Sequence, residues 1–98
     1  MQNKLRRLSY NQLVVLGVFL SLVGKVVTVN QLESKTKLTG KSLGGVLSSL
    51  SRTKFRSISL IEPVGRARDG VGLRWKLQTS ILDVDKAKKE VNQLLKSY

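Results

Sequence analysis

From residue 13 to residue 23 the chain reads LVVLGVFLSLV, an apolar run interrupted only by Gly17 and Ser21. Coiled into a helix, such a run is apolar around nearly its whole circumference, so other surfaces must enclose it on most sides. The residues ahead of it supply a helix start. Ser9-Tyr-Asn-Gln12 has the form of a capping box, in which the Ser9 hydroxyl accepts from the Gln12 amide and the Gln12 side chain reaches back. Leu8 and Leu13 are spaced as a hydrophobic staple, and Gly24 suits the left-handed position that ends a helix. A first helix is therefore expected over 10–23. With 98 residues the chain holds one domain with one modest core, and enclosure on this scale points to help from a second subunit. The basic start KLRRL also has the outline of a signal peptide, but no A-x-A-like cleavage site follows. The run is also shorter than the roughly 20 residues a bilayer requires. It is read as a core helix.

The same start device recurs. Thr28-Val-Asn-Gln31 is a second capping box, stapled by Val27 and Leu32, which predicts a helix over 29–37. The β-branched KVVTV before it fits a brief strand. Thr39 is expected to cap a third helix, with Leu38 and Leu43 as its staple. That helix, GKSLGGVLSSLSR, has two faces. Leu43, Val46, Leu47 and Leu50 lie on one at helical spacing. Lys41, Gly45, Ser48 and Arg52 fall on the other, flanked by Ser42 and Ser49. This polar face is small and basic and has no carboxylate. Gly44 and Gly45 each cost about 1 kcal/mol of helix stability relative to Ala. Tight packing against the first or second helix would offset that loss, a reading that suits Gly44 better than Gly45. Close approach of a partner would offset it equally well.

SISLIE reads as a strand ended by Pro63 and Gly65. The loop VGRARDGVG follows, with Arg66 and Arg68 near its tip and Asp69-Gly70 as a turn signal. LRWKL returns as a strand, with Leu73, Trp75 and Leu77 on one side and Arg74 and Lys76 on the other. Asp83 is placed to cap a last helix over 84–98, whose Val84, Ala87, Val91, Leu94 and Tyr98 form a narrow apolar stripe. That stripe suits packing on the first helix and pairing with a second chain equally. One domain over 1–98 is expected, with its core over 9–78 and residues 83–98 as a candidate dimerisation element.

Charge narrows the partner. There are 18 basic and 6 acidic residues, a formal net charge of +12. Mutual repulsion at this density opposes folding and suits a polyanionic partner, nucleic acid first. Between residues 34 and 82 the only acids are Glu62 and Asp69. Cys and His are absent, which removes disulfides, thiolate chemistry, the usual zinc sites and the commonest general base. The carboxylates, Glu33 and Glu62 among them, are scattered surface groups. No catalytic pair, metal cluster or cofactor motif stands out, so neither an enzyme nor a cofactor is expected. A cysteine-free chain fits a reducing interior.

The order helix, short strand, helix, helix, strand, wing, strand, helix resembles that of the winged-helix family. TVNQLESKTKLTGKSLGGVLSSLSR resembles its helix-turn-helix and GRARDGVGLRWKL its wing. The resemblance implies a mainly α fold with a small β-hairpin, an α+β winged helix-turn-helix. It implies a third helix in the major groove of double-stranded DNA and a wing over 63–71 on the backbone or minor groove. The candidate contacts on the recognition helix are Lys41, Ser42, Gly45, Ser48, Ser49 and Arg52. Those on the backbone-facing and wing segments are Lys54, Arg56, Arg66, Arg68, Arg74 and Lys76. Recognition helices of the family carry several long polar side chains, and this one has few, which implies duplex binding more than strong base readout. The expected function is that of a small prokaryotic-type, sequence-preferring transcriptional regulator, a homodimer in the cytoplasm associated with the nucleoid. An architectural DNA-coating protein and an RNA-binding module are the alternatives. Neither a membrane nor a small-molecule substrate is expected.

Overall fold

The capping box at Ser9 closes as its residues require: the Ser9 hydroxyl accepts from Gln12 N at 3.2 Å, and Ser9 N donates to Gln12 Oε1 at 2.7 Å. It opens α1 (Tyr10–Ser21) in a computed structural model that describes residues 5–55, 57–66, 73–79 and 83–97, the side chains of Phe55, Arg66 and Leu73 excepted. The helix stops two residues before the expected end. Leu22 N turns back onto the Val18 and Phe19 oxygens, and Gly24, at φ +82°, carries the chain away.

Thr28 repeats the device. Its hydroxyl accepts from Gln31 N at 3.1 Å while its own N–H donates to Gln31 Oε1 at 2.9 Å. Because Thr28 caps α2 (Val29–Thr36), the strand before it is held to two residues, β1 (Val27–Thr28). Lys37 then takes a left-handed conformation at φ 63°, so α2 ends one residue early. Thr39 starts α3 (Gly40–Arg52), but its side chain makes no capping bond. Here the expectation of a third cap fails: the position is right and the hydrogen bond is missing. The sequence Thr39-Gly-Lys-Ser42 has no Glu or Gln at the third helical position to close a box.

The segment expected as one strand, SISLIE, is two. Residues Lys54–Phe55 (β2) pair antiparallel with Ile58–Ser59 (β3) in a hairpin whose turn holds Ser57 at φ 69°. Leu60, fully buried, breaks the run, and β4 (Ile61–Arg66) follows. β4 continues through Pro63 and Gly65, which were expected to end it. It lies at the edge of the three-stranded sheet β1-β5-β4, where a proline lacking N–H leaves no ladder bond broken. A bulge between Pro63 and Arg66 absorbs Gly65, at φ +120°. The strand β5 (Leu73–Leu77) runs antiparallel between β4 and β1, with Trp75 opposite both Val27 and Pro63. Arg56, Arg68 and the Asp69-Gly70 turn lie outside the described residues.

Asp83 caps α4 (Val84–Lys96), its carboxylate accepting from Lys86 N at 3.2 Å. Of its apolar stripe, Ala87 and Val91 are buried and Val84 and Leu94 pack on the core; Tyr98 lies outside the described residues. The stripe is spent on α1, which also meets α2, α3 and β5. The described elements of the chain itself thus pack around much of α1. The result is a mainly helical α+β fold with a small antiparallel sheet. Among the described residues no helix is long and apolar enough to cross a membrane.

Ser9→Ala and Thr28→Ala should each lower the unfolding free energy by about 1 kcal/mol in urea titration, whereas Thr39→Ala should change it far less. Equal losses at all three positions would contradict the capping geometry.

Candidate nucleic-acid interface

α3 presents two chemically distinct faces because its apolar residues recur at three and four. Leu43, Leu47 and Leu50 are buried and Val46 is half-buried, so this side is anchored against the rest of the core. Lys41, Ser42, Gly44, Gly45, Ser48 and Arg52 are exposed on the other side. A Cβ added at Gly44 or Gly45 would meet nothing within 4 Å among the described residues. The packing explanation for Gly44 is thereby removed: among the described residues no neighbouring element requires either glycine.

Ser49 stands apart from the other expected contacts. It is half-buried, its hydroxyl accepts a short hydrogen bond from Gln12 Nε2, and it donates to the Val46 carbonyl at 3.3 Å. Gln12 therefore serves α1 with its oxygen and α3 with its nitrogen. Its place flanking the polar face predicts an outward-facing hydroxyl, but an amide donor on α1, distant in the chain, engages it.

The hairpin beyond α3 carries the next cation, Lys54, which is exposed. Leu60 holds that hairpin in place, donating its N–H to the Thr53 carbonyl and accepting from Gln78 N, each at 2.9 Å. Ile58, near the turn, leaves 41% of its surface exposed. The expected wing residues divide. Arg66 closes β4, while Arg74 and Lys76 occupy the face of β5 opposite Trp75 and Leu77, which are buried. α3 packs beside β3 and β4, against the core that Trp75 and Leu77 help form. The cations thus form two sets, one on α3 and its following hairpin and one on the outer face of the sheet.

Lys76 is exposed and lies across from Glu62, also exposed, with no ion pair between them. Arg74 is half-buried. Its Nε is shielded from water and has no acceptor among the described residues, and its Nη2 lies 3.2 Å from where a Cβ on Gly65 would stand. A shielded donor without an acceptor costs about 1–3 kcal/mol, more when charged. Two further cations escaped the sequence reading. Lys35 and Lys37 are exposed at the turn into α3, and their alternation in SKTKLTGK is the signal that would have found them. Among the described residues the one ion pair is Arg6 Nε to Glu90 Oε1 at 3.4 Å, which ties the N-terminal segment to α4 and not to these surfaces.

Gly44→Ala and Gly45→Ala should each raise the stability of the free protein by up to about 1 kcal/mol, because a methyl group improves helix propensity and meets open space. Thermal and urea unfolding check this, and destabilisation would show that the glycines serve the fold. Comparison of the chain with family models, with curated proteins and with solved structures gives no match.

Proposed function

We propose that this chain binds double-stranded DNA as a winged helix-turn-helix protein. α2 and α3 act as the helix-turn-helix, the outer face of α3 enters the major groove, and β4 and β5 form the wing that lies along the backbone or minor groove. The observation that carries the reading is the exposed face of α3, where Lys41 and Arg52 flank small residues, no carboxylate intervenes, and no packing neighbour limits approach at Gly44 and Gly45. Lys35, Lys37, Lys41, Arg52, Arg74 and Lys76 have no carboxylate partner among the described residues, and unneutralised cations in this number suit phosphates. Ser42 and Ser48 are exposed hydroxyls able to bond phosphates or base edges.

In this reading the protein is a sequence-preferring regulator associated with the nucleoid, working as a homodimer whose two recognition helices lie about 34 Å apart, one DNA turn. The apolar stripe of α4 is occupied by α1, so the dimer uses another surface. A second reading, an architectural protein that coats DNA with little preference, is favoured by one specific observation. The exposed face of α3 offers only Lys41 and Arg52 as long side chains, and the Ser49 hydroxyl is engaged by Gln12. An RNA-binding module is disfavoured because Trp75 is only 8% exposed and unavailable for base stacking.

Fluorescence anisotropy on a labelled random 30-base-pair duplex across a salt series tests the proposal. A log–log slope of about −7 is expected for a dimer that displaces counterions at about eight phosphates. Lys41→Gln, which removes one phosphate contact from each subunit of the dimer, should reduce the slope magnitude by about 2. A selected site preferred by about 10³ or more over random duplex marks a regulator; near equality marks the architectural reading. Absence of binding at low salt would overturn both.

A further inference from the structure

Arg74 is held by shape alone. Its stem is half-buried on the outer face of β5, and its guanidinium lies against the bare backbone of Gly65, with Nη2 only 3.2 Å from where a Cβ would be. The bulge between Pro63 and Arg66 puts Gly65 there, at φ +120°, a conformation that L side chains rarely adopt. None of the five N–H donors of Arg74 meets an acceptor among the described residues. Glu62, two positions along on the same face by register, makes no ion pair with it. Of the guanidinium nitrogens only Nε is both shielded and unpartnered, so the Nη groups at the outer end of the fork remain reachable.

A permanently charged, planar fork, oriented by packing and with no donor committed inside the chain, is preorganised for a doubly accepting oxyanion. We propose that Arg74, parked over Gly65, is the seat for one backbone phosphate at the loop end of the β4–β5 ladder. The two Nη groups grip two non-bridging oxygens of a phosphodiester. This rests on the duplex-binding reading and adds to it a contact that depends on fork geometry rather than on charge. Lys76, two residues away and exposed, is by contrast a point charge without such a seat.

The distinction is measurable. Arg74→Lys keeps the charge and loses the fork, so duplex affinity should fall about tenfold per subunit, about a hundredfold for the dimer, the loss of about one charge-assisted hydrogen bond in each, with the salt slope unchanged. Lys76→Gln should instead lower the slope magnitude by about 2 in the dimer, one contact per subunit, with a smaller loss of affinity. Trp75 fluorescence in urea confirms that each variant is folded. In the wild-type protein, the Arg74 Nε–H resonance should move on addition of duplex, which reads the seat without any substitution. If wild type binds duplex while Arg74→Lys binds equally well and the resonance stays fixed, the seat is wrong and the duplex reading survives. If wild type binds no duplex, the duplex reading fails and inorganic phosphate becomes the probe. A shift of the Arg74 resonance with phosphate but not with chloride then supports an oxyanion seat, and no shift overturns it.

Discussion

Leu16, Phe19 and Leu20 on α1 are each about 1% exposed, and the elements that dehydrate them come from every part of the chain: α2, α3, α4 and β5 all pack on this helix. Each such side chain contributes roughly 1.5–3 kcal/mol when fully buried. A helix apolar on nearly all sides leaves little choice of arrangement. It must be central, and the amphipathic helices must turn one stripe towards it and the opposite face to water. The surface offered by α3 is a consequence of that constraint. Leu43, Leu47 and Leu50 face the core, so Lys41, Gly45, Ser48 and Arg52 face outward.

Polar contacts refine this packing without replacing it. Gln12 closes the cap of α1 with its oxygen and reaches Ser49 on α3 with its nitrogen. One side chain thereby couples the start of the central helix to the element that presents the candidate interface. Leu60 does the same with its backbone, linking the end of α3 to the end of β5. The two sets of cations are therefore mounted on elements tied to one another through hydrogen bonds and a common core.

The charge balance bears on stability as well as on partners. A formal net charge of +12 disfavours the folded state through self-repulsion. The Arg6–Glu90 pair, with the arginine side chain 64% exposed, contributes at most about 1 kcal/mol against it. Two glycines inside α3, a left-handed Lys37 and a shielded Arg74 Nε without an acceptor among the described residues add further local cost. These features lie on or beside the surfaces proposed to meet DNA and away from the α1 core, the distribution expected where function competes with stability.

The helix starts at Ser9, Thr28 and Asp83, the alternation of β5 and the split of α3 into apolar and basic faces were all legible in the sequence. Each depends on residues within a few positions of one another, through hydrogen bonds or periodicity that neighbours settle alone. Thr39 marks the limit of that logic, since a suitable residue at the right position makes no cap. What only the tertiary structure decided depends on surfaces distant in the chain. It showed the described elements of the chain packed around much of α1, the stripe of α4 spent on α1, and the Ser49 hydroxyl turned to Gln12. It also kept Pro63 inside a strand, because that strand lies at an edge, and laid Arg74 over Gly65. Local patterns specify which face of an element is apolar. Which partner meets that face, and which donors are left without one, follows from the packing of the whole chain around α1.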